Sequence, residues 1–430
     1  MTVDRCRTPA RPRRIFTYFW SASLVSSLGD GAVLAALPLL AASLTVDPRL
    51  IAAVVFTGRL PWLTVALFGG VIVDRADRRR LMLFTQVGQM LVVAVIAAVA
   101  GLHVTQIWML YVLAFVMGCA DVLFMSASQA FVPTIVEEDD LDAANGRLVA
   151  AESASRDFLG PPIGSALFAV SSAVPFLVDA ISFGGSVLLL LRIKPSPTSE
   201  HRASSAAASR SSVWTDIREG LRWLMRSRLP RLLTLISAAG NFCEAMALSL
   251  LVLFARDVLN IGPAGYGVLL AAMAAGAVIG GLFSARVVKR FGARRIAIAV
   301  EVISPLAWLA IAAIGHSPIV MVGLFAVFSM ALSMRNVVSS STRQRLIPNE
   351  MLGRVTAASR MLAYGATPLG ALAGGFVAAQ YGLVAPWMVG GVLSLLVAVV
   401  SVPLLWRWDS PPRGRRTRQD PPIENGIAER

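Results

Sequence analysis

The sequence predicts an all-α integral membrane protein in which about twelve transmembrane helices form two six-helix repeats. The first observation behind this fold class is composition. Of the residues, 56% are hydrophobic and 15% are charged, whereas soluble domains average about 25% charged residues. The second is that the apolar residues form long continuous runs. The third is that the two halves of the chain share a pattern of polar residues.

Membrane-crossing helices account for the apolar runs. The run Leu91–Ala100 is apolar at every position; the strands of a membrane barrel would alternate instead, so we predict helices. The first run is longer than the apolar core of a signal peptide, and we expect it to be retained. Taking the length needed to cross about 30 Å of hydrocarbon, we number spans 1 to 12 at 15–44, 50–73, 81–101, 105–131, 148–170, 174–192, 230–255, 264–288, 296–315, 318–341, 356–379 and 383–407.

The basic residues predict the orientation. The formal net charge is +14, and the cations gather before span 1, between spans 2 and 3, between spans 8 and 9, and after span 12. Connections on the opposite side, such as Gly101–Gln106, are nearly uncharged. Positive residues favour the cytoplasmic side, so we predict that both termini are cytoplasmic. This distribution explains the basic charge without nucleic acid as a partner.

Changes in composition divide the chain into four parts. We predict a first six-helix half at 1–192, a cytoplasmic linker at 193–229, a second half at 230–408 and a disordered cytoplasmic tail at 409–430. The linker begins rich in Ser, Ala and Pro, which is typical of a flexible segment. Its second part carries apolar residues at the spacing of one helix face, namely Trp214, Ile217, Leu221 and Leu224. We interpret this part as an amphipathic surface helix that tethers the two halves.

The two halves repeat each other at an offset of about 214 positions. Asp30 in span 1 corresponds to Glu244 in span 7, and Ser27 corresponds to Asn241. Parallel six-helix repeats are an architecture of secondary transporters, whose site lies between the halves near the middle of the membrane.

Charged residues inside the spans are the candidate functional residues, because a charge in hydrocarbon is costly. The strongest candidates are the charged residues Asp30, Asp121, Glu244 and Arg335. Two polar residues, Ser27 and Asn241, lie on the same helix faces as Asp30 and Glu244 and belong to the same candidate set. We predict that they line a shared cavity, in which the carboxylates exchange protons or bind a cationic substrate and Arg335 is the counter-charge. The alternative is a set of structural ion pairs, with Arg335 bound to Asp121 or Glu244.

Other charged residues carry weaker signals. Arg59 in span 2 either serves the cavity or extends to the outer membrane interface. Glu152 and Arg156 stand four residues apart near the cytoplasmic edge of span 5, a spacing that predicts an intrahelical ion pair. Asp179 and Glu301 lie near the ends of their spans, where we predict structural roles.

Glycine and proline punctuate two of the spans. Gly160, Pro161 and Gly164 lie in span 5, and Pro368 lies at the corresponding place in span 11. Proline kinks a helix, and small residues let neighbouring helices approach. We predict that these residues act as hinges, although ordinary tight packing explains them equally well.

The sequence offers no motif for a cofactor or for enzymatic catalysis. The three cysteines and three histidines are scattered and do not form a metal-ligand pattern. The chain carries neither a nucleophile–base set nor an ATP-binding Gly-x4-Gly-Lys motif. We therefore predict no metal, no cofactor and no enzymatic activity.

The connection between spans 2 and 3, Gly70–Arg80, resembles the signature of the major facilitator superfamily. Asp77 stands where that signature has its second glycine, which is similar to the branch that contains macrolide efflux proteins and the enterobactin exporter. Ser26–Gly31 fits the same branch, and Gly160-Pro161 resembles a motif of drug–proton antiporters.

The resemblance implies the twelve-helix fold of that superfamily and a cytoplasmic gate between its halves. The gate residues it implies here are Gly70, Asp74, Arg75, Arg78 and Arg79. Two positions depart from the family pattern. Ala114 takes the place of the family's helix-4 arginine, so the proton-coupling role of that arginine does not carry over. Lys289 replaces the gate aspartate in the second half.

From the residues and the resemblance we expect a secondary active transporter of the bacterial inner membrane. It would export a small, moderately lipophilic molecule, such as a drug, an antibiotic or a siderophore-like metabolite, by proton antiport and alternating access. Proton-coupled uptake of a small nutrient is the alternative within this class, and a channel or a membrane-embedded enzyme is the alternative outside it. The expected partners are the substrate, protons and the lipid bilayer, without nucleic acid, and we expect a monomer.

Overall fold

The computed structural model describes residues 10–65, 76–137, 140–193 and 213–406. Within this part the chain is helical, and no strand occurs among the described residues. In chain order the helices are α1 (Ala10–Leu44), α2 (Pro48–Arg59), α3 (Arg78–Gly101), α4 (Ile107–Ile135), α5 in three continuous parts (Leu141–Glu152, the π-helical Ser153–Leu159 and Gly160–Val170), α6 (Val174–Leu191), α7 (Val213–Arg226), α8 (Arg228–Leu248, continued by Leu251–Leu253 and the π-helical Phe254–Val258), α9 (Pro263–Phe291), α10 (Ala293–Ile314), α11 (Pro318–Leu346), α12 (Asn349–Tyr381) and α13 (Ala385–Trp406).

This architecture confirms the predicted fold class. Spans 1 to 6 correspond to α1–α6, spans 7 to 12 correspond to α8–α13, and α7 lies in the linker. Within the described residues, 10 helices are long and apolar enough to cross a membrane. The other two spans are α2, whose regular helix ends at Arg59, and α5, which a π-helical segment divides. The predicted disordered tail and the first part of the linker lie outside the described residues.

Two helix starts differ from the predicted boundaries in the same way. α5 begins at Leu141 and α12 begins at Asn349, about two turns before the predicted starts of spans 5 and 11. The added turns carry polar residues such as Arg147 and Arg354. Hydropathy could not detect them, because these turns continue the helices beyond the apolar segment.

The two halves use the same helix packing. In the first half α1 packs on α5 and α6, α3 packs on α4 and α6, and α2 packs on α4. In the second half α8 packs on α12 and α13, α10 packs on α11 and α13, and α9 packs on α11. Each contact in one half therefore has a counterpart in the other, which agrees with the repeat in the sequence.

The most extensive contacts between the halves are those of α2 with α12 and of α5 with α9. We call the side on which α1 begins, and on which α3 begins with Arg78, the basic side, and the opposite side the far side. The largest apolar core cluster draws on both halves and includes Leu40 at the end of α1 and Trp387 at the start of α13. Both of these helix ends lie on the far side. There a hydrogen bond of 2.6 Å from Arg256 to the Ala42 carbonyl also joins the halves.

On the basic side each half has a core of its own. One cluster contains Phe19, Met82 and other residues of the first half, and another contains Leu233, Val300 and other residues of the second half. The described apolar cores thus join the two halves on the far side and are separate for each half on the basic side.

The linker helix α7 is attached to the second half. Leu224 is fully buried and packs with Ile347 and Val355. Glu219 accepts a hydrogen bond from Arg354 at 2.8 Å, and Gly220 lies directly on the Arg354 backbone. α7 is therefore fixed against the beginning of α12. Two residues of its predicted apolar face, Trp214 and Ile217, have side chains outside the described part.

Candidate functional site

A polar network connects α3, α4 and α5 inside the first half. Asp121 on α4 accepts a hydrogen bond from Gln89 Nε2 on α3 at 2.9 Å. Its second carboxylate oxygen accepts a hydrogen bond from Arg156 on α5 at 3.0 Å. The Asp121 and Arg156 side chains are 21% and 30% exposed, so this ion pair is only partly removed from solvent. Both oxygens of Asp121 are therefore engaged.

Two further carboxyl groups lie beside this network. Asp30 on α1 is within electrostatic range of Arg156 and Asp121, and no hydrogen bond to it forms among the described residues. Asp179 on α6 is fully buried and within electrostatic range of Asp30. Its Oδ1 accepts a hydrogen bond from Ser182 at 3.1 Å, and its Oδ2 has no partner in the described structure. The first half thus places these three carboxyl groups near Arg156, and Glu152 of α5 is also within electrostatic range of it.

The local geometry of α5 explains how Arg156 reaches this place. Pro161 and Pro162 lack backbone N–H groups, and a proline ring clashes with the carbonyl of the preceding helical turn. The helix widens just before them, where the Gly160 N–H donates to the Ser155 carbonyl five residues back. π-helical turns of this kind are often found at functional sites. Arg156 lies within the widened segment.

A close helix contact holds α5 against α1 at the same level. A Cβ on Gly31 would overlap the backbone of Arg156, and a Cβ on Gly160 would overlap the backbone of Gly31. One turn further along α5, a Cβ on Gly164 would overlap the backbone of Ala32. Only glycine permits this approach, which places Asp30 and Arg156 on neighbouring backbones.

A second set of charges occupies the other half. Glu244 on α8 and Glu301 on α10 are both within electrostatic range of Arg335 on α11. The Arg335 guanidinium lies against Gly240 of α8, where a Cβ would overlap it. Its Nε is buried without a hydrogen-bond partner in the described part of the chain. Asn241 donates to the Ala363 carbonyl at 2.9 Å and ties α8 to α12.

Arg59 lies between these two sets of charges. It ends α2, and its electrostatic neighbours are Arg156 and Asp121 in the first half and Glu244 and Tyr364 in the second. Its side chain is exposed. Since its neighbours come from both halves, Arg59 lies at the interface between them.

The remaining predicted residues have defined places. Ser27 is buried on α1. Arg78 donates to the Ala130 carbonyl of α4 at 2.8 Å. Arg79 donates to the Leu190 and Leu191 carbonyls at the end of α6, at 3.3 Å and 3.1 Å. Arg78 and Arg79 thus bond inside the first half in this structure. The other three gate residues, Gly70, Asp74 and Arg75, lie outside the described residues.

The predicted hinge residues are points of close packing. Gly160 and Gly164 lie against α1, as described above, and Pro161 follows the π-helical segment. Pro368 is buried inside the continuous helix α12. Next to it, Gly370 and Gly374 lie directly on the α8 backbone. The α1–α5 and α8–α12 contacts are therefore equivalent. The π-helical segment of α5 lies at the first contact, whereas that of α8, Phe254–Val258, follows the stretch that contacts Gly370 and Gly374.

The structure corrects two predicted ion pairs. Asp121 pairs with Arg156, so the alternative in which Arg335 pairs with Asp121 is wrong. The intrahelical pair of Glu152 with Arg156 is also wrong, because the guanidinium turns to the carboxylate of α4 at hydrogen-bonding distance. Glu152 stays within electrostatic range only.

Comparison with known proteins identifies the family. The sequence matches the transmembrane secretion effector family over residues 8–425. The chain belongs to that family. A relative from Mycolicibacterium fortuitum, the multidrug efflux pump Tap, is 28% identical over 89% of this chain and 93% of its own. A relative from Bacillus subtilis, the uncharacterized MFS-type transporter YfiS, is 26% identical over 88% of this chain and 90% of its own. The protein is thus a multi-pass membrane transporter of the major facilitator superfamily.

Solved structures show the same fold. The nucleoside transporter NupG superposes with a TM-score of 0.69 at 12% identity, covering 93% of this chain and 100% of its own. A bacterial homologue of the iron transporter ferroportin, in an inward-facing state, superposes with a TM-score of 0.67 at 16% identity, covering 91% and 99%. At this identity the likeness concerns the fold alone.

Several residues of the site were missed or undervalued by sequence reasoning. Gln89 carried no charge, and Asp179 was assigned a structural role from its nearness to a helix end. In the structure Asp179 faces the middle of α1, where a Cβ on Gly29 would overlap its carboxylate. The signal that could have found Arg156 is its position five residues before Pro161, a distance at which the proline disturbs the helix.

Proposed function

We propose that this transporter exports a small, moderately lipophilic molecule in exchange for protons, and that Asp30 carries the coupling proton. The observation that carries the proposal is a contrast between two carboxylates. Both oxygens of Asp121 accept hydrogen bonds, whereas Asp30 accepts none from the described residues yet lies near Arg156. A carboxyl group without a fixed partner can gain and lose a proton without breaking existing hydrogen bonds.

The protonation state of Asp30 changes the charge that faces Arg156 and so the attraction between α1 and α5. While Asp30 is protonated, Asp121 is the one full negative charge that binds the guanidinium directly. When Asp30 is ionised, Arg156 faces carboxylates on both α1 and α4, and the attraction between α1 and α5 increases. Because α5 also packs on α9 of the second half, a change in the α1–α5 contact reaches the interface between the halves.

The packing of the two halves supports alternating access. They share an apolar core on the far side and have separate cores on the basic side. Basic residues favour the cytoplasm, so we assign the basic side to the cytoplasm, with both termini there. We propose that this conformation admits substrate from the cytoplasm, the side from which an exporter takes it up.

Glu244 extends the proposal to the second half. It occupies the repeat position of Asp30 and lies within electrostatic range of Arg335 and Arg59. We assign to it the second protonation step or the binding of a positively charged group, with Arg335 as counter-charge. Ser27 and Asn241 stand one turn away from the two acids, where they support the helices that carry them.

The gate and the partners complete the proposal. Arg78 and Arg79 bond within the first half in this structure, and we propose that with Gly70, Asp74 and Arg75 they join the halves when the basic side closes. The substrate, protons and the lipid bilayer are sufficient partners, so we propose a monomer in the bacterial inner membrane that needs neither nucleic acid nor cofactor. The name of the relative Tap, a multidrug efflux pump, supports drug-like substrates.

An accumulation assay tests this function. Rhodamine 6G would be measured in a bacterial strain lacking its main efflux pumps, with and without a protonophore. We expect the wild-type protein to lower accumulation and the protonophore to restore it. Asp30→Asn should accumulate the dye like the empty vector, and Asp47→Asn, an acid in the loop before α2, should behave like wild type. Protonophore-sensitive export by Asp30→Asn, or increased accumulation with the wild-type protein, would overturn the proposal.

A further inference from the structure

We infer that Arg59, Trp62 and Tyr364 form a subsite between the halves that binds the aromatic ring and the anionic group of an aromatic carboxylate. This inference rests on the proposed function and names the substrate chemistry of one part of the cavity.

An aromatic pair joins the two halves at this place. The rings of Trp62, just after α2, and Tyr364 on α12 have centroids 6.4 Å apart and planes inclined by 46°. Tyr364 is 53% exposed. By contrast, Trp308 and Trp387 are 2% and 1% exposed and belong to the shared core. The pair on α2 and α12 is thus a contact between the halves that leaves ring surface accessible.

Arg59 supplies a positive charge beside these rings. Within the described residues its guanidinium forms neither a hydrogen bond nor an ion pair, although it lies within electrostatic range of Glu244 and Tyr364. An arginine at membrane depth without a partner is costly, and such residues usually mark a substrate or ion pathway. Its five N–H donors match a carboxylate in a two-point arrangement.

One backbone carbonyl of α2 lacks its helical donor at the same point. Pro61 has no N–H to donate to the Thr57 carbonyl, while Leu60 keeps a right-handed helical conformation and residues 61–65 are helical. The Thr57 carbonyl thus adds a polar backbone group close in the chain to Arg59 and Trp62.

The three features together select one ligand class. An aromatic ring fits against the exposed Tyr364 ring and the partly exposed Trp62 ring, and a carboxylate fits the free guanidinium of Arg59. A cation of the same ring size would gain the stacking contact and would be repelled by Arg59. The subsite therefore distinguishes two molecules that share a ring system and differ in charge.

Fluorescein and rhodamine 6G form such a pair, because both contain a xanthene ring, the first with a free carboxylate and the second as an esterified cation. Their binding would be measured by fluorescence anisotropy with the purified full-length protein in detergent at neutral pH. We expect Arg59→Gln to weaken fluorescein binding by about tenfold or more and to strengthen rhodamine 6G binding, because the repulsion between Arg59 and the cation is removed. Tyr364→Leu should weaken both. Arg49→Gln, on the same helix and bonded to Asp47, should change neither.

The inference is overturned if wild-type protein fails to bind fluorescein, or if Arg59→Gln changes the binding of both dyes equally while its melting temperature matches wild type. Failure of the proposed function is separately visible. If wild-type cells export rhodamine 6G but Arg59→Gln does not change fluorescein binding, the proposed function stands and the subsite is refuted. Absence of any export removes the function whatever the binding assay shows.

Discussion

Arg156 on α5 donates a hydrogen bond to Asp121 on α4 at 3.0 Å, and the free carboxyl group of Asp30 lies within electrostatic range of both. Three helices of the first half thereby converge on one guanidinium. The close contact of Gly31 with the Arg156 backbone makes this convergence possible, because a larger residue would separate α1 from α5.

The Arg156–Asp121 pair can be measured by a double-mutant cycle. Asp121→Asn and Arg156→Gln should each lower the melting temperature of the purified protein, since each leaves a charge at membrane depth without its partner. If both side chains were fully buried, each substitution would lower the free energy of unfolding by roughly 3–5 kcal/mol. Because both side chains are partly exposed, we expect about 1–3 kcal/mol. The double variant should be more stable than the sum of the two losses predicts. Additive losses would show that the pair is not coupled.

The glycine contact between α1 and α5 gives a second prediction. Gly164→Ala should destabilise the protein and lower its yield, because the new methyl group would overlap the backbone of Ala32. Gly88→Ala on α3 is the matched control, since nothing lies within 4 Å of its added Cβ, and alanine is the better helix former by about 1 kcal/mol. Thermal unfolding in the same detergent compares the two. Equal melting temperatures would contradict the proposed close approach.

Arg256 gives a prediction about the far side. Its hydrogen bond to the Ala42 carbonyl crosses between the halves, and its side chain is 39% exposed, so we assign to it about 1 kcal/mol, or roughly a fivefold change in population. Arg256→Gln should therefore increase the population that is open on the far side. Distances between spin labels on the far-side ends of α1 and α8 would report this change.

The control for Arg256 is Arg49→Gln, because the Arg49 ion pair with Asp47 lies within the first half. Hydrogen bonds from Arg49 also lower the pKa of the Asp47 carboxyl below its usual range. This variant should leave the label distances at wild-type values. A wild-type distribution in Arg256→Gln would show that the shared apolar core alone closes the far side.

The linker helix supplies a prediction about attachment. Leu224 is fully buried between α7 and α12, so Leu224→Ala should loosen α7 by the loss of buried apolar contact, roughly 2–4 kcal/mol. Limited trypsin digestion should then cleave faster after Arg222 and Arg226. Glu219→Gln removes a partly exposed ion pair, which contributes at most about 1 kcal/mol, and should change cleavage little. Faster cleavage in Glu219→Gln than in Leu224→Ala would contradict this account.

The fold could be predicted largely from the sequence, because long apolar runs and the repeat are signals carried by composition and spacing alone. The predicted starts of α5 and α12 were late by about two turns, since those turns are polar and hydropathy measures only the apolar segment. The repeat placed Asp30 and Glu244 at equivalent positions, and the structure places them on equivalent helices, α1 and α8.

The partners inside the site could not be predicted from the sequence. Spacing favoured Glu152 as the partner of Arg156, because a linear sequence shows only neighbours on the same helix. The actual partner, Asp121, is supplied by helix packing that depends on glycines and on a π-helical segment. For the same reason Asp179 seemed to be a helix-end residue, although tertiary packing buries it against Gly29.

Substrate-driven proton release measures directly whether Asp30 carries the coupling proton. Inverted membrane vesicles would be given an acidic interior, and rhodamine 6G would be added outside while a pH-sensitive dye reports the gradient. We expect proton release on adding substrate to wild-type vesicles, none with Asp30→Asn, and retained exchange of labelled for unlabelled substrate in that variant. Proton release of wild-type size with Asp30→Asn would contradict it.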